Sequence, residues 1–234
     1  MPRLASEGRK TDSAGSFQTF AKGCELPVFR QGEPPPAWCE LDAFTIVDAA
    51  VEAVSEERRR APKERVLVTR GNAQLRTSAG SQVLRDGQFV DLAGIDTWEM
   101  KAGARGAEIV RLSGHWGTEL GGCGIFSAAN DPNWKNTGDP VAYTKMTSVD
   151  SHYHDCDEFW VMLEGAGTVV VGDRHLNVGA GDCIPIGMGH HHDMPVVTSP
   201  VRAVYFETTL QGEKRIGHLW NHTHGPARPM PGRI

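Results

Sequence analysis

Two histidines one residue apart, in His152-Tyr153-His154, are followed four residues on by Glu158. In an extended chain residues i and i+2 face the same side. His152 and His154 therefore project together and Tyr153 projects away. Asp155-Cys156-Asp157 can turn the chain so that Glu158 opens the next strand beside them. A further imidazole must come from His190-His191-His192, where His190 and His192 share one parity and His191 faces the other way. Three imidazoles and a carboxylate form a borderline donor set suited to Fe, Mn, Ni, Co, Cu or Zn. Such a set leaves an octahedral ion two open positions, which a catalytic metal needs and a closed structural site lacks. A lone histidine is usually a surface or satisfied core residue, but this group is clustered and predicts one divalent metal ion per chain.

The elements that must position these residues are strands. From about residue 64 the pattern is apolar runs broken by glycine turns: Val66-Leu67-Val68 before Gly71, Val83-Leu84 before Asp86-Gly87, then Phe89-Val90-Asp91-Leu92. It recurs as Phe159-Trp160-Val161-Met162-Leu163 before Gly165, Val169-Val170-Val171 before Gly172-Asp173, and Asn177-Val178 before Gly181-Asp182-Cys183-Ile184-Pro185-Ile186. Glu64, Gly71, Gly87 and Trp98 match Glu158, Gly165, Gly181 and His192 at one constant offset, so the chain is read as an internal duplication. Residues 41–56 fit either strand or helix. Residues 1–40, polar and turn-rich with Pro34-Pro35-Pro36, are read as an N-terminal arm.

At the metal residues the chain resembles the cupin superfamily. His152, His154, Glu158 and Gly165 fit its first motif, although Met146 stands where a glycine precedes the first histidine. Gly181, Gly189 and His192 fit the second motif, with Gly187 in the place of its proline. A second register, Gly179-Pro185-Gly187-His190, keeps the proline. His192 is preferred because Ala180-Gly181-Asp182 matches the usual turn of these barrels and because His192 falls opposite Trp98 in the repeat; His190 is the fallback. The resemblance implies an all-β fold of two cupin barrels: a metal-free barrel over 41–128 and a metal-binding barrel with a C-terminal tail over 129–234. In the first copy the same offset puts Arg58 and Arg60 where the second has His152 and His154, and Trp98 for His192. Only Glu64 survives, and arginine cannot serve as a ligand. Arg58-Arg59-Arg60 is read as an exposed charge run, with anion binding as the sharper alternative.

Other residues follow by parity. Trp160 and Met162 share a face with Glu158 and should wall the pocket, and Met194 shares the face of His192. Tyr205 or Glu207 could supply an acid or base, so Glu158, Tyr205 and Glu207 are the candidate catalytic residues. Cys156 between the ligands is read as a buried inert thiol. His218, Trp220, His222 and His224 suggest either a second histidine site or an arm packing on a neighbouring subunit.

With 39% hydrophobic and 23% charged residues and a net charge of −5, the chain has the balance of a soluble globular protein and no basic footprint for nucleic acid or membrane. Neither a signal-peptide core nor a membrane span is evident. Its five cysteines lack a CxxC pair and suggest free thiols in a reducing cytoplasm. What the resemblance implies for activity is a metal-dependent isomerase or lyase, acting on a sugar, sugar acid or keto acid through a stabilised enediolate. The alternatives are an Fe- or Cu-dependent dioxygenase and a non-catalytic ligand-binding barrel. A homo-oligomer, in the simplest case a dimer, is expected.

Overall fold

The computed structural model describes residues 28–135 and 137–234; most of the expected arm, with Cys24, lies outside the described residues. Among the described residues twelve strands form: β1 (Phe29–Arg30), β2 (Leu41–Ala49), β3 (Val54–Arg58), β4 (Lys63–Thr77), β5 (Gly80–Arg85), β6 (Phe89–Asp91), β7 (Thr97–Gly114), β8 (Cys123–Ala128), β9 (Glu158–Val171), β10 (Arg174–Gly179), β11 (Asp182–Ile186) and β12 (His192–Glu207). One short helix, α1 (Asn221–His224), follows. The ambiguous stretch 41–56 becomes β2, a turn and the start of β3.

The strands sort into two antiparallel sheets. β2-β7-β4-β5 form the first, with β3 on β7 and β6 on β4; β1-β11-β9-β12-β8 form the second, with β10 on β9. Two pieces depart from the expected partition. Phe29-Arg30 of the arm pairs with Cys183-Asp182 in the second sheet, and β8, assigned by sequence to the first barrel, pairs with β12.

The central strands are apolar on both faces, and each face has its own destination. On β9, Trp160 and Met162 enter the core inside the second sheet, whereas Phe159 and Val161 enter a core shared between the sheets. On β4, Val66 and Val68 face the core of the first sheet and Leu67 faces the shared one. Period-two alternation thus survives, but both sets of side chains are removed from water. That is why these segments read as continuous apolar runs.

The long strands bend where a glycine passes under a neighbour. Gly71 has φ +79°, and a Cβ there would lie 2.4 Å from the Gly106 carbonyl oxygen. Its counterpart Gly165 has φ +79° and would meet the Pro200 carbonyl at 2.0 Å. β4 and β9 carry ladder irregularities beside these glycines, as expected where a strand turns a corner.

The duplication is also visible in the contacts between halves. Arg70 pairs with Glu164, and Arg202 Nη2 lies 2.5 Å from Glu108 Oε1; each pair joins residues 94 positions apart. Equivalent positions of the two copies therefore meet each other, as they do near the axis of a two-fold interface.

These contacts give a stability prediction. Gly165→Ala should cost at least about 2 kcal/mol, because left-handed strain and a clash with fixed backbone add. Gly181→Ala, at φ +90° with open space around the new Cβ, should cost only about 1 kcal/mol. Equal costs in urea unfolding would mean that the close approach to Pro200 does not demand the glycine.

Candidate metal centre

The motif histidines lie in irregular chain. Residues 129–157 connect β8 to β9, and among the described residues the ladder pairings of this stretch are two single bridges, His152 to His192 and Tyr153 to Leu219. Buried side chains and scattered backbone hydrogen bonds do the rest. Lys145, buried, pairs with Asp193 and reaches the Val149 carbonyl. Tyr143 donates to the other Asp193 oxygen at 3.0 Å, and the Met146 N–H donates to the Pro195 carbonyl at 2.7 Å. The alternation expected of His152 and His154 holds without a ladder.

His152, His154, Glu158 and His192 converge, with one donor atom from each lying within 4.8 Å of the others. The His152 and His154 Nε2 atoms are 3.0 Å apart. Glu158 Oε2 is 3.3 Å from His154 Nε2 and 2.8 Å from His192 Nε2. All four side chains are buried. Each imidazole is oriented through its other nitrogen: His152 Nδ1 at 2.9 Å from the Asp150 carbonyl, His154 Nδ1 at 3.1 Å from that of Gly217, and His192 Nδ1 at 3.0 Å from that of His190. Glu158 Oε1 accepts the Trp160 indole N–H at 2.8 Å. Glu158 Oε2 and His192 Nε2 approach each other but make no well-formed hydrogen bond to any group. Buried polar atoms are rarely left so, and here both face the point where the four donors meet. Backbone-anchored imidazoles presenting Nε2 form the outer support that metal sites use, so the residues fit a metal ion.

The electrostatics agree for His152 and Glu158; burial lowers His154 as well, but Glu158 outweighs it and raises that imidazole. Burial, with the neighbouring imidazoles, pushes His152 well below the usual histidine range. Burial raises Glu158, but His154 and His192 outweigh it and hold the carboxyl well below its usual range. A neutral imidazole and an ionised carboxylate are the forms that bind a metal.

The remaining candidates divide. Tyr205 and Glu207 face the same cavity as Glu158, since β12 pairs Tyr205 with Trp160 and Glu207 with Glu158. Glu207 is buried, with Oε2 accepting the Gly122 N–H at 2.6 Å and Oε1 3.8 Å from His154 Nδ1. Trp160 walls the cavity, but Met162 and Met194 are in the core behind it. His190 turns away, its Nε2 3.3 Å from the Met230 carbonyl. Cys156 is buried, and burial raises its thiol far above the usual range.

The tail packs on its own barrel rather than reaching out as an arm. His218 stacks on His152 with ring centroids 3.7 Å apart, and its Nδ1 is 3.1 Å from Asp150. Trp220 Nε1 donates to the same carboxylate at 2.7 Å. His222 instead meets Asp139, at 2.7 Å. Asp150 was missed in the sequence, though it shares the parity of His152 and His154. His218 was noticed, but nothing local reveals that the tail returns to this site.

The first copy holds a guanidinium in the corresponding place. Arg111 Nε and Nη2 lie 2.5 and 2.8 Å from the two Glu64 oxygens, and Nη1 is 3.1 Å from Glu57. Its guanidinium carbon sits 4.8 Å from the Trp98 ring centre. The expected match of His152 to Arg58 is corrected by one residue: His152 bridges His192, and Glu57 pairs with Trp98. Arg58 and Arg60 are exposed, and the Arg58 side chain takes no part.

The cupin domain family matches residues 141–208. The chain is 51% identical over 211 residues to the uncharacterized protein y4oW of Sinorhizobium fredii (strain NBRC 101917 / NGR234), covering 90% of this chain and 97% of that one. A deletion mutant of Bacillus subtilis oxalate decarboxylase superposes with a TM-score of 0.53 at 11% identity, covering 86% of this chain and 80% of that one. At that identity the likeness is one of fold.

Two expectations follow. In metal titrations His192→Ala should lose orders of magnitude in affinity, while His190→Ala, which keeps the carbonyl that orients His192, should stay within about tenfold of the parent. The opposite ranking would select the register that keeps Pro185. Arg111→Met should cost about 3–5 kcal/mol by leaving Glu64 buried and unpaired. Calorimetric melting that shows no loss would mean the guanidinium does not hold the first copy together.

Proposed function

The chain belongs to the cupin superfamily, and from that premise we propose that it is a metal-dependent enzyme performing non-oxidative isomerisation or lyase chemistry on a small oxygen-bearing molecule. The observation that carries this reading is the convergence of four buried donors, two of whose atoms have no other partner. His152, His154, Glu158 and His192 would hold the ion. The chemistry it supplies when bound is Lewis-acid polarisation of substrate oxygens.

The protein's own groups supply the rest. Glu207, Tyr205 and His218 line the cavity with Glu158, His218 holding its Nδ1 against Asp150. Glu207 Oε1 is the base of this reading and, once protonated, the group that returns the proton, while the Tyr205 hydroxyl donates a hydrogen bond to the substrate oxygen on which charge develops. The Gly122 N–H fixes Glu207 through its other oxygen, so the base does not have to be oriented during the reaction. Trp160 excludes water from the ionised Glu158 and fixes the carboxylate through its indole. Proton-exchanging groups on the cavity wall support isomerisation or elimination over oxygen chemistry.

Elemental analysis should give about one metal per chain, and acidification should weaken binding. His152 is held neutral and Glu158 ionised, so protons compete with the ion as pH falls and the metal is lost on the acid side. His154→Ala should abolish metal and activity with the circular dichroism of the parent, because the barrel buries its core without the ion. Glu207→Gln should keep the metal and lower kcat by about 10²–10⁴-fold. Turnover that stops without O₂ would overturn the non-oxidative reading in favour of a dioxygenase.

A further inference from the structure

We infer that the molecule taken at this centre is uncharged and apolar in body, ring-sized, with two neighbouring oxygen donors, rather than an organic acid or a polyhydroxylated sugar. The inference rests on the reading of the four-donor cluster as a metal centre and narrows its substrate.

The cavity over Glu158 has a volume of about 670 Å³, within the range of roughly 300–1,000 Å³ for small-molecule sites. One wall is aromatic: the Phe126 and Trp160 rings lie 5.0 Å apart at 55°. Ala128 and Val149 extend it. At the mouth stands Ile216, 71% exposed, a large apolar side chain that no other part of the described chain covers. Gly217, at φ +92°, follows it and sends His218 back inward. Singly exposed aliphatics are common on surfaces, but this one continues the apolar wall of a cavity that reaches the buried Glu158 carboxylate.

The charges point the same way. Apart from imidazoles, the ionisable groups lining the cavity, among the described residues, are Tyr205 and the carboxylates Asp131, Asp150, Glu158 and Glu207. A divalent ion would offset two of these four negative charges and leave the cavity acidic. The nearby ammonium of Lys145 is turned away onto Asp193. An organic dianion would enter with no guanidinium to pair with and with like charges around it. A sugar would find partners at Ser127, Ser148 and the carboxylates, but the hydroxyls it turned toward Phe126, Trp160 and Ile216 would lose their water and find none. A flat molecule with two adjacent oxygens can place them at the donor cluster and its body against the aromatic wall.

The probes are catechol, oxalate and glucose, titrated calorimetrically into the full chain loaded with one equivalent of Zn²⁺, with zinc retention checked afterwards. Catechol should bind at least about tenfold more tightly than either other probe. Ile216→Asp should weaken catechol several-fold, and Ile216→Arg should tighten oxalate about tenfold; this position is exposed, so folding is not at issue. Oxalate or glucose binding more tightly than catechol to the zinc-loaded parent would overturn the inferred class and leave the metal centre standing. Catechol binding equally well to zinc-free His154→Ala protein would instead overturn the metal reading itself.

Discussion

Glu158 is buried with one carboxylate oxygen bound to an indole and the other facing three imidazoles. Leaving such an atom unpaired costs about 1–3 kcal/mol, and more for a charged group, so the surrounding structure is arranged around that one position. β9 delivers the carboxylate at its first residue, and β12 delivers His192 from its own first residue. The irregular segment before β9 brings the other two histidines, and it is itself pinned by the buried Lys145–Asp193 pair. The tail closes the arrangement, since the Gly217 carbonyl orients His154. Each of these contacts makes sense as support for donors that must be held together before anything binds to them.

The first copy meets the same electrostatic problem with a covalently attached cation. Glu64 is as deeply buried as Glu158, and burial would raise it, yet the hydrogen bonds from Arg111 hold it ionised. A guanidinium with its donors in a fixed plane satisfies two carboxylates, a carbonyl and an aromatic face at once. It leaves no open position for a substrate. The first half therefore closes its buried carboxylate with its own cation, and the second leaves four buried donors converging.

Much of this was legible in the sequence, for physical reasons. The cluster was readable because alternation in extended chain fixes which side chains point together, and because the glycines at 71, 165 and 181 mark places where the backbone needs positive φ. The constant offset located the duplicated strands. What escaped was set by partners distant in sequence. Arg111 carries no local sign that it fills the first barrel. The one-residue slip that puts Glu57, not Arg58, opposite Trp98 arises in the differing connections that lead into β4 and β9. The return of His218 to stack on His152 depends on a bridge between Tyr153 and Leu219, and no short-range pattern encodes it. Parity left Tyr205 and Glu207 undecided between faces until the pairing of β12 with β9 set them beside Glu158.

The cross-copy ion pairs have a consequence for assembly. Arg70 meets Glu164, and Glu108 meets Arg202, each residue facing the counterpart of its own position. Within each half the two charges are also neighbours: Arg202 Nη2 is 3.0 Å from Glu164, and Arg70 stands opposite Glu108 in the β4–β7 ladder. Arg70, Glu164, Arg202 and Glu108 therefore run as one alternating chain across the seam between the sheets. Apolar packing in the shared core has no preferred direction, whereas an alternating row of charges is satisfied in one alignment, so the seam carries its own register mark.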